Sequence, residues 1–297
     1  AIYNNGESEK VLGKALKGEY RNKVKISTKL PAMNIKKYED MEKILNEQLE
    51  RLQIDCIDYY FLHNVDLKAM NRLLKKDVLK FLSKAKQEEK IKYVGFSYHG
   101  TTEEFPLLLD AYDWDMVMIQ YNYFDNNVQA DIEGIHHAAS KGMGIFVMEP
   151  LKGGTLVNIP DDAGKILTSY NPDLSLASWG IRFAASLEGV LTVLSGVSSL
   201  EQLEDNLSYM KDFNPLTEDE LKVIGDVVEI IKHSIAIPCT GCDYCLDACP
   251  EDIPISKFFA LYNDVKQSIE LQFLHYFYYD NLAKKNAPAS SCLECGE

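Results

Sequence analysis

The chain has 297 residues, room for one large domain and a small second one, with 46% hydrophobic and 26% charged residues, as in ordinary globular proteins. A net charge of −14 and a sequence pI near 4.9 speak against nucleic acid and anionic lipid as partners. No apolar run approaches the roughly 18 residues of a membrane span, so no membrane partner is expected either.

Apolar, β-rich runs alternate with amphipathic stretches along most of the chain. The runs lie at Val24 to Lys29, Ile57 to His63, Tyr93 to Ser97, Met116 to Tyr121, Ile145 to Met148 and Leu191 to Ser195. Helical patterns fill Ser8 to Lys17, Tyr38 to Gln53, Met70 to Glu89, Glu103 to Tyr112, Gln129 to Lys141 and Leu174 to Ser186. In the second of these, Met41, Ile44, Leu45, Leu49 and Leu52 recur at three- and four-residue steps, as one apolar stripe requires. Repeated strand–helix units imply an α/β fold with a parallel sheet. Six strands fit a (β/α)8 barrel better than a doubly wound sheet, and no G-x-G-x-x-G follows an early strand. A further helix is expected from Thr217 to Lys232, and Ser8 is expected to cap the first one. Pro238 marks the hand-over to a second, mainly helical region whose residues 251–290 are rich in aromatics. The division expected is a barrel over 1–233 and a small domain over 234–297.

Six of the seven cysteines lie in that second region. Cys239, Cys242, Cys245 and Cys249 are separated by two, two and three residues, and Pro250 closes the run. This spacing is that of a [4Fe–4S] ferredoxin run; zinc is the alternative, because C-x2-C pairs bind it too. Cys292 and Cys295 read as the first half of a second run, against the alternative of a stray C-x2-C in a tail. In the crossed ligation of two-cluster modules, Cys239, Cys242 and Cys245 hold one cluster and Cys249, Cys292 and Cys295 the other. Each set is then one ligand short of four, so the sequence is expected to be cut before its last cysteines. Clustered free thiols suit a reducing cytoplasm.

In barrels of this kind chemistry sits at the C-terminal ends of the strands. Lys29 and His63 end two successive runs, and Tyr3 precedes the loop that opens the first helix. With Tyr3-Asn-Asn-Gly-Glu-Ser-Glu-Lys-Val-Leu-Gly13, Thr28-Lys29, Tyr60-Phe-Leu-His63, Gly95-Phe-Ser97, Met148-Glu-Pro-Leu-Lys-Gly-Gly154 and the stretch from Gly196 to Asn206, residues 1 to about 230 resemble the aldo/keto reductase family. The tail resembles the dicluster ferredoxin extension of one branch of that family.

The resemblance implies roles. Tyr3 matches the proton donor, Lys29 the lysine that lowers its pKa, and His63 the histidine that orients the carbonyl. Ser97 and Gln120 match the positions that hold a nicotinamide carboxamide, and Met148 the position of a ring-stacking tyrosine. Leu151, Gly153 and Gly154 match a pyrophosphate loop. Gly196, Ser198, Gln202 and Asn206 match the loop and helix start at the adenosine phosphate. The family's aspartate, first strand and first helix are expected to precede Ala1. Two departures stand out: Gly196 and Gln202 replace a lysine and an arginine that grip a 2′-phosphate, leaving NAD and NADP both open, and Met148 replaces an aromatic ring.

The expectation is thus an NAD(P)(H)-dependent oxidoreductase acting on a small carbonyl compound or alcohol. Two [4Fe–4S] clusters would serve electron transfer to a redox protein partner, or stability. The alternative is an electron-carrier or partner-binding protein with a weak or inactive barrel.

Overall fold

The computed structural model describes residues 6–237, 239, 244–267 and 272–295. It falls into two compact units. One comprises the described residues up to 150 with 181–204 and 210–215; the other comprises 151–180, 205–209 and the described residues from 216 onward.

The first unit is built on six parallel strands: β1 (Ser27–Pro31), β2 (Ile57–Val65), β3 (Ile91–Tyr98), β4 (Met116–Gln120), β5 (Gly144–Met148) and β6 (Val190–Val193), paired in chain order. α1 (Glu7–Ala15) precedes them, and between them run α2 (Tyr38–Leu52), α3 (Leu67–Leu74), α4 (Val78–Gln87), α5 (Phe105–Leu109) and α6 (Ile132–Ser140). Sequential parallel order with helical crossovers is the arrangement a (β/α)8 barrel uses.

Strand side chains alternate, so residues two apart share a face. On one face Phe61, Met116, Met118, Phe146 and Met148 form a compact buried cluster. From the other face Leu30, Tyr60, Leu62, Phe96, Val117 and Val147 join a larger core that takes in Met41, Leu45 and Phe81 of the helices. Gly95 permits the close approach of β3 to β4: a Cβ there would lie 2.2 Å from the Met116 carbonyl oxygen.

The six strands fall where the apolar runs predict them, and three helical expectations are corrected. The stretch from Met70 to Glu89 is two helices, α3 and α4, separated by a turn in which Asp77 adopts φ 57. Met70, Leu73, Val78, Phe81 and Leu82 are all buried, so the apolar pattern carries across the break. Neither glycine nor proline marks it. The third crossover shortens from Glu103–Tyr112 to Phe105–Leu109. Ser8 is not the cap of α1; Gly6, at φ 85, holds that position and Ser8 sits inside the first turn.

In the second unit α7 (Asp161–Tyr170) packs on α10 (Glu218–His233). Thr217 Oγ1 accepts the Glu220 backbone N–H at 3.2 Å and the Glu220 carboxylate accepts that of Thr217 at 2.8 Å, a complete capping box for α10. Between these helices in sequence lie α8 (Leu176–Ala185) and α9 (Leu200–Met210). The chain goes on through α11 (Tyr244–Ala248), α12 (Ile255–Gln267) and α13 (Gln272–Lys285). Asn263 of α12 clamps the entering chain: its Oδ1 accepts the Ile237 N–H at 2.9 Å and its Nδ2 donates to the Ile237 carbonyl at 2.8 Å. Among the described residues no helix is long and apolar enough to cross a membrane.

Candidate active site

The strand register brings the predicted residues of the first unit to one face and one end. Lys29 pairs with Phe61, Pro31 with His63, Ser97 with Met118 and Gln120 with Met148. Lys29, His63, Ser97, Gln120 and Met148 therefore stand at or near the C-terminal ends of β1 to β5, on the face of the small apolar cluster. Ser97 is fully buried, Met148 nearly so, and Lys29, His63 and Gln120 are half-buried.

The charges converge as well. Burial, and then the positive charges of Lys29 and His99, depress the His63 pKa from its usual 6.5 to about 4. Burial and Lys29 also lower that of His99, whose backbone N–H bonds to the Val65 carbonyl at 3.0 Å. Near neutral pH the His63 ring is consequently uncharged, with one N–H donor and one acceptor nitrogen. Lys29, His63 and His99 thus lie near enough to act on one another's ionisation.

Buried polar residues brace it. Gln48 of α2 is fully buried, donates to the Lys29 carbonyl at 2.9 Å and accepts the Tyr60 hydroxyl at 2.9 Å. It also donates to Glu9 at 3.2 Å, and Glu9 further accepts Thr28 Oγ1 at 2.7 Å and Arg51 Nε at 2.8 Å. At the far side Asn122, also fully buried, accepts the backbone N–H groups of Phe124 and Asp125 and donates to the Glu149 carbonyl at 3.3 Å. Asn64 and Glu149, each one residue past a site side chain, adopt φ 58 and 55, a left-handed conformation that is strained for both. Gln48 and Asn122 are absent from the sequence reading. The one signal for Gln48 is its place in the buried stripe of Met41, Leu45 and Leu52, where an apolar residue is expected.

Of the other predicted cofactor positions, Gly196, Ser198 and Gln202 belong to the first unit. The Gln202 side chain accepts the Ser198 N–H at 2.8 Å and the Ser198 hydroxyl at 3.3 Å, while Ser199 Oγ accepts the Gln202 N–H at 3.3 Å. Gln202 thus spends its side-chain oxygen on closing the turn that starts α9. In the second unit the Leu151 carbonyl accepts the Gly154 and Leu156 N–H groups at 2.9 and 3.2 Å. Gly153 and Gly154 sit at φ 62 and 97, where a side chain would be strained. Asn206 Oδ1 accepts the Tyr209 hydroxyl. Tyr3 and Cys242 lie outside the described residues.

The second unit holds a separate cavity of about 420 Å³ lined by Cys245, Cys249, Cys292 and Cys295, with Pro250, Ile253 and Phe258 among its walls. Cys249, Cys292 and Cys295 belong to one set of the crossed scheme, and Cys245 to the other. Cys239 is exposed and does not line the cavity. Cys249 Sγ accepts the Ile253 backbone N–H at 3.4 Å. Among the described residues no three His, Cys, Asp or Glu side chains are grouped to hold a single metal ion.

The fold agrees with the comparisons. L-galactose dehydrogenase of Arabidopsis thaliana is 23% identical over 261 residues, covering 78% of this chain and 79% of that protein. The solved aldo-keto reductase AKR11C1 from Bacillus halodurans in its holo form has a TM-score of 0.63 at 24% identity, over 76% of this chain and 80% of that one. An aldo-keto reductase from Klebsiella pneumoniae solved with NADPH has a TM-score of 0.63 at 22% identity, over 76% and 77%. The family model described as "Aldo/keto reductase family" matches residues 1–229, and the chain belongs to that family of oxidoreductases.

Proposed function

We propose that the chain reduces a small carbonyl compound, or oxidises the corresponding alcohol, at the strand ends of its first unit, with NAD(H) or NADP(H) as the redox partner. The observation that carries this reading is the convergence of Lys29, a neutral His63 and His99 at the strand ends above a buried apolar cluster. A bound nicotinamide supplies or accepts the hydride. The chain supplies position and charge. The His63 N–H is suited to bond the carbonyl oxygen and orient it, and the Lys29 ammonium stabilises negative charge developing on that oxygen. By resemblance, Lys29 also lowers the pKa of Tyr3, which gives the oxygen its proton. The donor set suits a carboxamide, since Ser97 and Gln120 project from the same face. The Klebsiella relative was solved with NADPH, whereas Gly196 and the occupied Gln202 offer no cation to a 2′-phosphate here.

For the second unit the reading is an iron–sulfur site in the cysteine region 234–297, held by Cys245, Cys249, Cys292 and Cys295 with Cys239 and Cys242. Four cysteines on one cavity with apolar walls support it, and so does the N–H···S bond to Cys249, a contact that tunes cluster potential. The ligands of a cubane bind different irons, so they surround a volume rather than a point. Such a cluster supplies one-electron exchange with a redox protein, or a structural staple, and belongs in a reducing cytoplasm. Met148 at the ring-stacking position favours a second reading, in which the barrel is retained as a scaffold for an electron carrier.

The test is a steady-state assay of anaerobically purified full chain with NADH and NADPH against a panel of small aldehydes, ketones and alcohols. Turnover that Lys29→Met and His63→Asn each lower about a hundredfold or more is expected. No turnover with either dinucleotide sinks the enzyme reading and leaves the scaffold. Iron and acid-labile sulfide in equal amounts are expected in the same preparation, and their absence ends the iron–sulfur reading.

A further inference from the structure

The second unit contains another cavity, of about 530 Å³, between α12 and α13. Its wall is almost wholly aromatic and aliphatic: Phe258, Phe259, Tyr262, Tyr276 and Tyr279 face it, with Ile237 and Leu261. The Phe258 and Tyr279 rings lie 5.2 Å apart and tilted by 36°, bracing one side. Besides the hydroxyls of its tyrosines, an imidazole breaks this surface. His275 lines the cavity, is only 8% exposed, and its Nδ1 is buried without a hydrogen-bond partner among the described residues. A buried nitrogen left unpaired costs free energy, and native structures seldom carry such an atom unless something satisfies it.

We infer that this cavity binds a planar aromatic molecule carrying one polar group, a hydroxyl or carbonyl that meets His275 Nδ1. The volume lies within the roughly 300–1,000 Å³ of small-molecule sites, and a largely apolar wall with a few polar groups is their usual chemistry. Aromatic walls favour a flat ring by offset and edge contacts. The buried Nδ1 of His275 draws the polar end of the ring toward it. Phe258, Phe259 and Ala289 line both this cavity and the cysteine cavity, so the ring would sit one side chain away from the thiols. The site stands on its own geometry and does not depend on whether the thiols carry iron or the barrel turns over.

Equilibrium dialysis of the full chain against 2-naphthol and naphthalene tests it. Saturable binding of one 2-naphthol per chain is expected, about tenfold tighter than that of naphthalene. His275→Phe should bring the two affinities together while naphthalene still binds, which also shows that the variant keeps its cavity. Leu261→Trp, which narrows the space, should weaken binding of both about tenfold, with carbonyl turnover and thermal midpoint as controls for folding. Failure of both probes to bind the unmodified chain, an equal affinity for the two, or a naphthol preference that survives His275→Phe would each overturn the inference.

Discussion

Ser97 Oγ accepts the backbone N–H of Asn64 at 2.9 Å, and this bond ties β3 to the residue that follows His63. Asn64 is held at φ 58, so the bond offsets local strain at the point where the histidine is aimed. Ser97 is therefore a positioning residue for His63 as well as a candidate contact for the dinucleotide. Ser97→Ala takes this acceptor from the Asn64 N–H. We expect a loss of about 1 kcal/mol in urea denaturation, with a fall in kcat larger than the change in KM for the carbonyl substrate. Unchanged stability and unchanged kcat would remove Ser97 from this role.

His63 yields a prediction about pH. Its folded pKa is about 4 and its unfolded value near the usual 6.5, so between these limits the unfolded chain binds the extra proton. Stability contributed through this group is then undiminished above the unfolded value and is lost as pH falls from about 6.5 to 4. A depression of this size corresponds to at most about 3 kcal/mol. His63→Gln should lose less stability than the wild type between pH 6.5 and pH 4 when both are followed by chemical denaturation. Parallel curves across that window would mean that the histidine titrates normally. The same chemistry predicts that no loss of activity near pH 6.5 is attributable to His63.

Gln48 joins three groups: the Lys29 carbonyl, the buried Tyr60 hydroxyl and the Glu9 carboxylate. Burial drives the Tyr60 phenol well above its usual pKa, with Glu9 adding to the effect, so it stays a neutral donor in need of an acceptor. Gln48→Leu fits the apolar stripe of α2 by sequence rules yet strands those partners. We expect a loss of more than about 2 kcal/mol and a lower kcat, because the backbone carrying Lys29 loses its brace. A stabilised or unaffected variant would show that packing alone sets the position of Lys29.

These cases show what the linear chain displays and what it conceals. The six strands were readable because buried parallel strands are short apolar, β-rich runs bounded by polar turns. Lys29 and His63 were readable because each interrupts such a run at its C-terminal end. Gln48 and Asn122 were not, since a buried polar side chain is recognisable only once its partners are known. The break at Asp77 was hidden for a related reason: Val78 and Phe81 resume the buried pattern of Met70 and Leu73, and no glycine or proline interrupts it. The grouping of Cys245 with Cys292 and Cys295 depends on how a chain segment folds back, and cysteine spacing does not encode it.

On the proposed reading, Gln202 governs how the chain treats the two dinucleotides. Its carboxamide oxygen accepts both the Ser198 N–H and the Ser198 hydroxyl, which closes the turn before α9 but presents no positive charge. Gly196 lies in the same exposed loop and has no side chain to add one. A 2′-phosphate bound there would gain only neutral hydrogen bonds, whereas a guanidinium makes a charge-assisted, bidentate contact. The wild type should therefore discriminate little in favour of NADPH, and Gln202→Arg should lower KM for NADPH about tenfold while leaving that for NADH within about twofold. Loss of the Ser198 contact in the same variant should cost about 1 kcal/mol of stability, so a Gln202→Leu control separates the turn from the charge. If Gln202→Leu shifts the cofactor preference as far as Gln202→Arg, loop geometry rather than charge selects the dinucleotide, and the role assigned to position 202 fails.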